Sequence, residues 1–272
     1  MTGIYSSAAR LRTDGAADAL AEADALGFDS LWIADVRADL PVLDLALHAT
    51  KRMTVGSAVV SIWSVPAQEL ATWWAGRSRL RVGIGVSHGP LVAAYEHPLT
   101  SLRSYLDELD AAGMPAVDRW VGANGPKMLA LTAARAAGAV TYMVTPEQTA
   151  AHRELLGGGP RLVPEVKVVL DRDLDAARTA ARAHLAIYLT LPNYLGNLRR
   201  AGFTEADLTA PGSDRLIDAL VAHGDEQAVL ARVQEHLAAG ADDVSLHVLS
   251  PDPVPLAAWR RLAAALITES AA

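Results

Sequence analysis

The chain has 272 residues, of which 51% are hydrophobic and 20% are charged, a composition that supports a large packed interior and excludes a disordered chain. Its formal net charge of −7 argues against nucleic acid or an acidic membrane surface as the main partner, because both require a basic face. It has no cysteine, which excludes disulfides, thiolate catalysis and cysteine-ligated metals, and which is compatible with the cytoplasmic location that we expect.

Short apolar runs typical of strands alternate with amphipathic stretches typical of helices. The predicted strands lie at 3–7, 28–34, 54–62, 80–86, 119–123, 139–144, 165–170 and 243–249. The predicted helices between them lie at 14–26, 42–49, 66–75, 101–112, 126–137 and 146–156. Eight such units, with Val/Ile/Leu-rich strands buried on both faces, predict an α/β fold of the (β/α)8 TIM-barrel type, with residues 1–272 forming one domain.

The alternation stops after the seventh predicted strand. Residues 171–224 contain several helical stretches, including 174–189 and 213–223, and we interpret them as a helical insertion between strands 7 and 8. Asp225 is predicted to cap a helix at 226–239, and a last helix is predicted at 256–267.

A doubly wound dinucleotide-binding sheet is the competing fold, since Gly83 and Gly85 suggest part of a G-x-G-x-x-G motif. The next glycine, Gly89, is one position too late, and Pro90 follows it. This spacing argues against the motif. The glycines instead predict either room for a ligand at a strand end or close packing in the barrel.

Segment 120–145 is predicted to form a strand, a glycine turn, a helix and a strand. The helix opens on Gly125, Pro126 and Lys127, where free backbone N–H groups, the helix dipole and a lysine charge favour a phosphate. An ordinary helix start with proline at its first position is the alternative interpretation. Thr145 and Gln148 have the spacing of a capping box at the head of the next helix.

Four segments together resemble a known family. They are 59–63 (VVSIW), 81–90 (RVGIGVSHGP), 104–110 (SYLDELD) and 122–128 (GANGPKM). In this order they resemble the bacterial-luciferase-like superfamily, and within it the coenzyme F420-dependent oxidoreductases, the deazaflavin branch. The segments 191–194 (LPNY), 197–200 (NLRR) and 239–242 (AGAD) also fit that branch.

The resemblance implies a cofactor, coenzyme F420 or alternatively FMN, held across the carboxyl ends of the strands with its phosphate over the helix that follows strand five. The residues that it assigns to the cofactor are Ser61, Ile62, Trp63, Gly85, Val86, Ser87, Ala123, Asn124, Gly125, Pro126, Lys127, Val144 and Thr145. Family members often have a non-proline cis peptide at the end of strand three, and the resemblance places it within 61–63.

His88 is the candidate acid/base or substrate-binding residue, because imidazole titrates near neutrality and strand four ends there. A loop histidine bonded to the backbone is the alternative. Asp35 is a second catalytic candidate, with a capping or loop-bracing role as its alternative. Val36 and Val86 stand where some relatives carry a histidine and a carboxylate, which argues against a close copy of a sugar-phosphate dehydrogenase.

His247 alternates with apolar neighbours and is predicted to face the barrel interior as a hydrogen-bonded core residue. The eight histidines form no recognised metal-binding spacing, so we expect no metal. Trp73 and Trp74 fall within a predicted helix and suit packing or subunit contact. Relatives commonly dimerise on this side of the barrel, so the resemblance implies a homodimer.

These observations favour an F420-dependent oxidoreductase that transfers a hydride between the deazaflavin and a small organic substrate, with neither nucleic acid nor membrane as partner. The cofactor carries the redox chemistry, so few ionising side chains are needed. Two alternatives stay open: an FMN-dependent luciferase-like monooxygenase on the same fold, and a non-catalytic deazaflavin-binding protein.

Overall fold

The computed structural model describes residues 2–93 and 95–270, which contain a closed parallel barrel. The strands are β1 (Thr2–Ser7), β2 (Ser30–Arg37), β3 (Thr54–Ser61), β4 (Leu80–Gly85), β5 (Arg119–Gly122), β6 (Gly138–Thr141), β7 (Arg161–Val169), β8 (Val221–His223) and β9 (Val244–Val248). Strands β1 to β7 pair in chain order, and β9 pairs with both β7 and β1 to close the circle. The predicted (β/α)8 barrel is therefore confirmed, and β9 is the eighth barrel strand.

Helices surround this barrel. They are α1 (Ala8–Leu11), α2 (Ala16–Ala25), α3 (Leu40–Ala49), α4 (Ala67–Trp74), α5 (Pro98–Ala111), α6 (Pro126–Arg135), α7 (Pro146–Leu156), α8 (Leu174–Leu185), α9 (Pro192–Arg200), α10 (Glu205–Leu208), α11 (Asp214–Leu220), α12 (Glu226–Ala238) and α13 (Leu256–Ser270). Thr145 and Gln148 form the predicted capping box of α7, and Asp225 caps α12 through the N–H of Ala228.

Successive residues of a barrel strand point alternately outward, to the helices, and inward, to the barrel centre. The molecule therefore has an outer and an inner apolar core. Side chains such as Ile33 and Val82 pack against the helices. The strand residues between them point into the barrel, where Tyr5, Trp32, Trp120, Val140 and Val163 form a separate cluster. The barrel centre is therefore filled below its mouth, and a ligand in the barrel would lie at the strand ends.

The insertion between β7 and β9 contains α8 to α11, a short 3-10 turn (Tyr188–Thr190) and β8. It has its own apolar core, in which Ala181, Leu198 and Ile217 pack with Met143 and Val169 from the barrel. The predicted helix at 213–223 ends at Leu220, because Val221–His223 pairs with the end of β7 as a short strand. This tertiary pairing overrides the helical pattern.

Candidate cofactor and substrate site

The amino end of α6 is an open, uncapped helix start. Gly125 is the N-cap and provides no side-chain cap, and Pro126 occupies the first helical position. The first N–H groups of a helix have no intrahelical partner, so those of Lys127 and Met128 are free to bind an anion. The Lys127 side chain is exposed and forms no ion pair within the described part of the chain. A Cβ on Gly125 would meet no atom within 4 Å, so this turn is open.

Asn124, next to that helix start, ties two strand ends together. Its Nδ2 donates to the carbonyl of Tyr142 at 2.6 Å, and its Oδ1 accepts the N–H of Tyr142 at 3.2 Å. The neighbouring Ala123 is buried and its N–H donates to Val140 at 3.2 Å. Asn124 thus fixes Tyr142 at the barrel mouth.

Thr145 and Val144, which the resemblance assigns to the cofactor, are buried after β6. The hydroxyl of Thr145 accepts the N–H of Gln148 at 3.3 Å in the capping box. Its polar side chain is therefore already engaged in holding the start of α7.

The non-proline cis peptide lies between Ala58 and Val59, so its predicted location within 61–63 is wrong. The side chain of Val59 occupies the space beside Gly85 and Gly122, at 2.6 and 2.9 Å from the positions that their Cβ atoms would take. A Cβ on Gly83 would overlap the carbonyl oxygen of Ser57. Of the two interpretations of these glycines, close packing is therefore correct at Gly83 and Gly85.

The ends of β3 and β4 are braced by the residues that follow the cis bond. Ser61 is buried, and the N–H of Ile62 donates to the carbonyl of Gly85 at 3.1 Å. The indole Nε1 of Trp63 donates to the carbonyl of Val86 at 2.6 Å. These contacts hold in place the loop that leads to Ser87 and His88.

His88 lies at the end of that loop, where it meets the insertion. Ser87 before it has a φ of 57°. The His88 ring centroid is 5.0 Å from that of Tyr194, and its Nδ1 is 3.3 Å from Nδ2 of Asn193. Burial lowers the pKa of His88, although the charge of Asp35 opposes this. Its partners are side chains of α9, so the alternative of a histidine bonded to the loop backbone is wrong.

Asp35 has a φ of 54° and a side chain that is 68% exposed. Its nearest cation, the Arg37 guanidinium, is 3.9 Å away and equally exposed. Asp35 therefore faces solvent at the rim, whereas the Val36 side chain is buried.

A polar and aromatic cluster on the opposite half of the mouth was not singled out as a site from the sequence. Glu165, Lys167 and His247 are buried on β7 and β9. Tyr142, Tyr188, Tyr194 and His184 lie around them in successive ring contacts. The sequence signal was the charged pair at alternate positions of an otherwise apolar strand, since such residues share one face.

The two halves of the mouth differ in side-chain size. On the half formed by β2 to β5, Ala34, Ala58 and Gly122 are small and only partly buried, so solvent reaches the strand ends there. Val59 forms the floor of this half, and Asn124 and the open start of α6 border it. A flat ring with a phosphate-bearing arm fits this arrangement, in which a small-residue floor leads to an anion-binding helix end.

Within residues 2–93 and 95–270, no group of three or more His, Asp or Glu side chains is arranged to hold a metal ion. None of the helices described there combines the length and apolar character needed to cross a bilayer.

No protein-family model and no curated protein matches the sequence. Solved structures do share the fold. A coenzyme F420-dependent tetrahydromethanopterin reductase from Methanopyrus kandleri is 18% identical, with 98% of each chain covered and a TM-score of 0.72. An F420-dependent secondary alcohol dehydrogenase in complex with an F420–acetone adduct is 15% identical, with 96% of each chain covered and a TM-score of 0.71.

A third similar structure is the oxygenating constituent of 3,6-diketocamphane monooxygenase from Pseudomonas putida, a type II Baeyer–Villiger monooxygenase in complex with FMN. It is 14% identical, with 96% of each chain covered and a TM-score of 0.71. The protein thus shares a (β/α)8 barrel fold with these structures, and its own barrel carries the predicted helical insertion between the seventh and eighth barrel strands.

Proposed function

We propose that this protein is a coenzyme F420-dependent oxidoreductase acting on a small organic substrate. The observation that carries the proposal is the uncapped start of α6, with its unpaired Lys127, beside a half-open barrel mouth. Two proteins of the same fold, at 18% and 15% identity, are described as F420-dependent. When bound, the deazaflavin supplies hydride transfer, while the protein supplies binding, orientation and exclusion of water.

The residues that would hold the cofactor fall into two groups. The N–H groups that follow Gly125 and the Lys127 ammonium bind the phosphate. Val59 supports the ring from below, and the brace formed by Ile62 and Trp63 keeps the β4 loop beside it. Asn124 and Thr145 act indirectly, because their side chains hold Tyr142 and α7.

His88 and Asp35 line the substrate side of this site in the proposal. His88 contacts Asn193 and Tyr194 of the insertion. A movement of the insertion over a substrate would therefore also move His88. Asp35 is too exposed to act as a desolvated catalytic base and contributes charge at the rim.

An FMN-dependent monooxygenase is the second candidate, because a protein of the same fold is described in complex with FMN. Both cofactors have a tricyclic ring and a phosphate, so the start of α6 suits either. The chemistry separates them, since a monooxygenase consumes oxygen.

Parallel titrations of the purified protein with oxidised F420 and with FMN test the proposal. We expect saturable quenching of F420 fluorescence with a Kd at least about tenfold lower than that for FMN, equivalent to about 1.4 kcal/mol. Binding of FMN alone, with oxygen uptake in the presence of reduced FMN, would refute the F420 assignment and support the monooxygenase.

Three further properties belong to the same proposal. We propose that residues 1–272 act as one barrel domain, that two copies form a homodimer, and that the protein works in the cytoplasm with no nucleic-acid or membrane partner. The half-buried Trp73 and Trp74 on α4 support the dimer, since aromatic residues are enriched at subunit contacts. Sedimentation of the purified chain at several concentrations tests it.

A further inference from the structure

Three ionisable side chains on two neighbouring strands meet inside the barrel, just below its mouth. On β7, the Nζ of Lys167 is 2.7 Å from Oε2 of Glu165. On β9, His247 lies opposite Lys167 in the sheet register, and its Nδ1 is 2.7 Å from Oε1 of Glu165. One carboxylate therefore bridges a lysine and a histidine.

The exposure of these side chains increases towards the mouth. The exposed fraction is 0% for Glu165 and 1% for Lys167, but 10% for His247. Within the described part of the chain, the Nε2 of His247 has no hydrogen-bond partner. Solvent can reach this atom. Of the three groups, only His247 can touch a molecule in the mouth, and it does so with Nε2.

The Glu165 carboxylate determines which nitrogen of His247 carries the proton. Burial tends to raise the pKa of Glu165, but the Lys167 charge and the hydrogen bonds from His247 and Lys167 outweigh it and lower the pKa. An ionised Glu165 accepts the Nδ1–H of His247, which leaves the lone pair on Nε2. A carboxylate-oriented imidazole with a free nitrogen is the arrangement of a general acid/base.

The titratable side chains that face His247 come from β1, α8 and the segment after β6. None of these neighbours gains or loses a proton near pH 7. Tyr5 on β1 and His184 on α8 have ring centroids 5.0 Å from it, and Tyr142 after β6 is 6.5 Å away. Burial and the Lys167 charge lower the pKa of His184 to about 3, and burial raises the pKa of Tyr5 and Tyr142. These neighbours donate or accept hydrogen bonds but do not titrate near pH 7.

The phenols also extend the polar wall. The hydroxyl of Tyr142 is 3.0 Å from that of Tyr188 and 3.1 Å from Nε2 of His184, and the Lys167 ammonium lies 3.7 Å from the Tyr142 ring centroid. Because Lys167 is paired with Glu165, it cannot neutralise an anionic substrate. Such a wall suits a neutral oxygen that can both donate and accept a hydrogen bond.

We infer that His247 is the catalytic acid/base of this protein, that Glu165 is its positioning residue, and that the substrate presents a hydroxyl or carbonyl oxygen to Nε2 of His247. This inference rests on the proposed function and assigns the proton to His247 instead of His88. In the oxidative direction the substrate O–H bond breaks and its proton moves to Nε2. The hydride from the carbinol carbon goes to the oxidised deazaflavin, and the alcohol becomes a carbonyl compound.

The body of the substrate is apolar in this inference. Leu91 and Ile187 are large apolar side chains that are 51% and 56% exposed. Leu91 follows His88 in a 3-10 turn, and Ile187 directly precedes Tyr188, so both are close in the chain to residues of the mouth. Secondary alcohols with short alkyl or ring substituents are therefore the probes to use.

The first experiment needs no cofactor. Nitrogen-15 NMR of the histidine rings, with His247→Asn to assign the resonance, reports which ring nitrogen carries the proton. We expect the Nδ1–H form in the wild type and a loss of this preference in Glu165→Gln. Because Glu165→Gln leaves the Lys167 charge buried and unpaired, Glu165→Gln/Lys167→Met is the second variant. A protonated Nε2 in the neutral wild-type ring would overturn the inference.

The second experiment uses the full chain with F420 and a panel of 2-propanol, 2-butanol and cyclohexanol, followed by the loss of F420 absorbance. We expect His247→Asn to lower kcat at least about 100-fold, with the Kd for F420 unchanged. His48→Gln, on the exposed face of α3, is the matched control and should leave kcat unchanged.

The F420 titration separates the two proposals. Absence of F420 binding removes both of them. If F420 binds but none of the alcohols is oxidised, or if His247→Asn retains turnover that His88→Asn loses, the proposed function stands and this inference is overturned.

Discussion

The Cγ2 of Val59 lies 2.6 Å from the position that a Cβ on Gly85 would occupy. The Val59 side chain therefore fills the space that a side chain at position 85 would need, so only glycine fits there. The floor of the proposed ring site depends on this pair.

Gly85→Ala should therefore lower the free energy of unfolding by about 1–3 kcal/mol, the usual cost of overpacking a core. Urea denaturation followed by circular dichroism measures the change. Adding Val59→Ala should restore most of the loss, because it removes the methyl group in conflict. A Gly85→Ala variant as stable as the wild type would contradict the packing described.

Gly125→Val should weaken F420 binding at least about tenfold, because a branched side chain covers the N–H groups at the start of α6. The protein should lose no more than about 1 kcal/mol of stability, the cost of a poorer N-cap, since the φ of −96° and ψ of 147° suit valine and a Cβ there meets no atom within 4 Å. Fluorescence titration with F420 measures the affinity. Gly158→Val, also with nothing within 4 Å, is the control and should bind F420 normally.

Lys127→Ala should weaken F420 binding about tenfold, as expected for losing one charge-assisted hydrogen bond. The loss should shrink as salt is increased, because Lys127 is exposed and its attraction is screened. Titrations at two salt concentrations test this. An affinity that does not change would place the phosphate elsewhere.

Asn124→Ala should destabilise the protein by about 1–3 kcal/mol, because the partly buried peptide group of Tyr142 loses both its partners in Asn124. Asn124→Asp is the matched variant. It keeps an acceptor for the Tyr142 N–H but places a carboxylate oxygen against the Tyr142 carbonyl oxygen, so its loss should be at least as large. Equal unfolding midpoints for both variants and the wild type in urea would show that this clamp contributes nothing.

Stability should fall as the pH is lowered from about 6.5 to about 4. Burial lowers the pKa of His152 and His236 from 6.5 to about 4, with the charges of Arg200 and Arg232 contributing, and lowers that of His184 to about 3. In this window the unfolded chain binds more protons than the folded protein, so acid favours unfolding. The loss is absent above pH 6.5, where the histidines are neutral in both states.

Urea unfolding at pH 7.5 and 5 measures this pH dependence. His236→Gln should reduce it, because one proton-binding group is removed, while the exposed His48→Gln should not. Equal stability of the wild type at the two pH values would contradict the buried neutral histidines.

The sequence by itself determined the order and type of the elements. The apolar repeat is a local property, so strands such as β1 and helices such as α7, with its capping box at Thr145, could be predicted. The glycine–proline start of α6 was visible for the same reason, because helix starts depend on adjacent residues. Local patterns also explain the errors, since 221–223 becomes a strand only through its pairing with β7.

Only the tertiary structure decided which side chains meet at the mouth. Glu165 and His247 are 82 residues apart in the chain, and their contact exists because β9 pairs with β7 when the barrel closes. Val59 similarly reaches Gly122 across an intervening strand. A charged residue in an apolar strand indicates an inward-facing group, but its partner follows from the register between strands, and register depends on closure of the whole sheet.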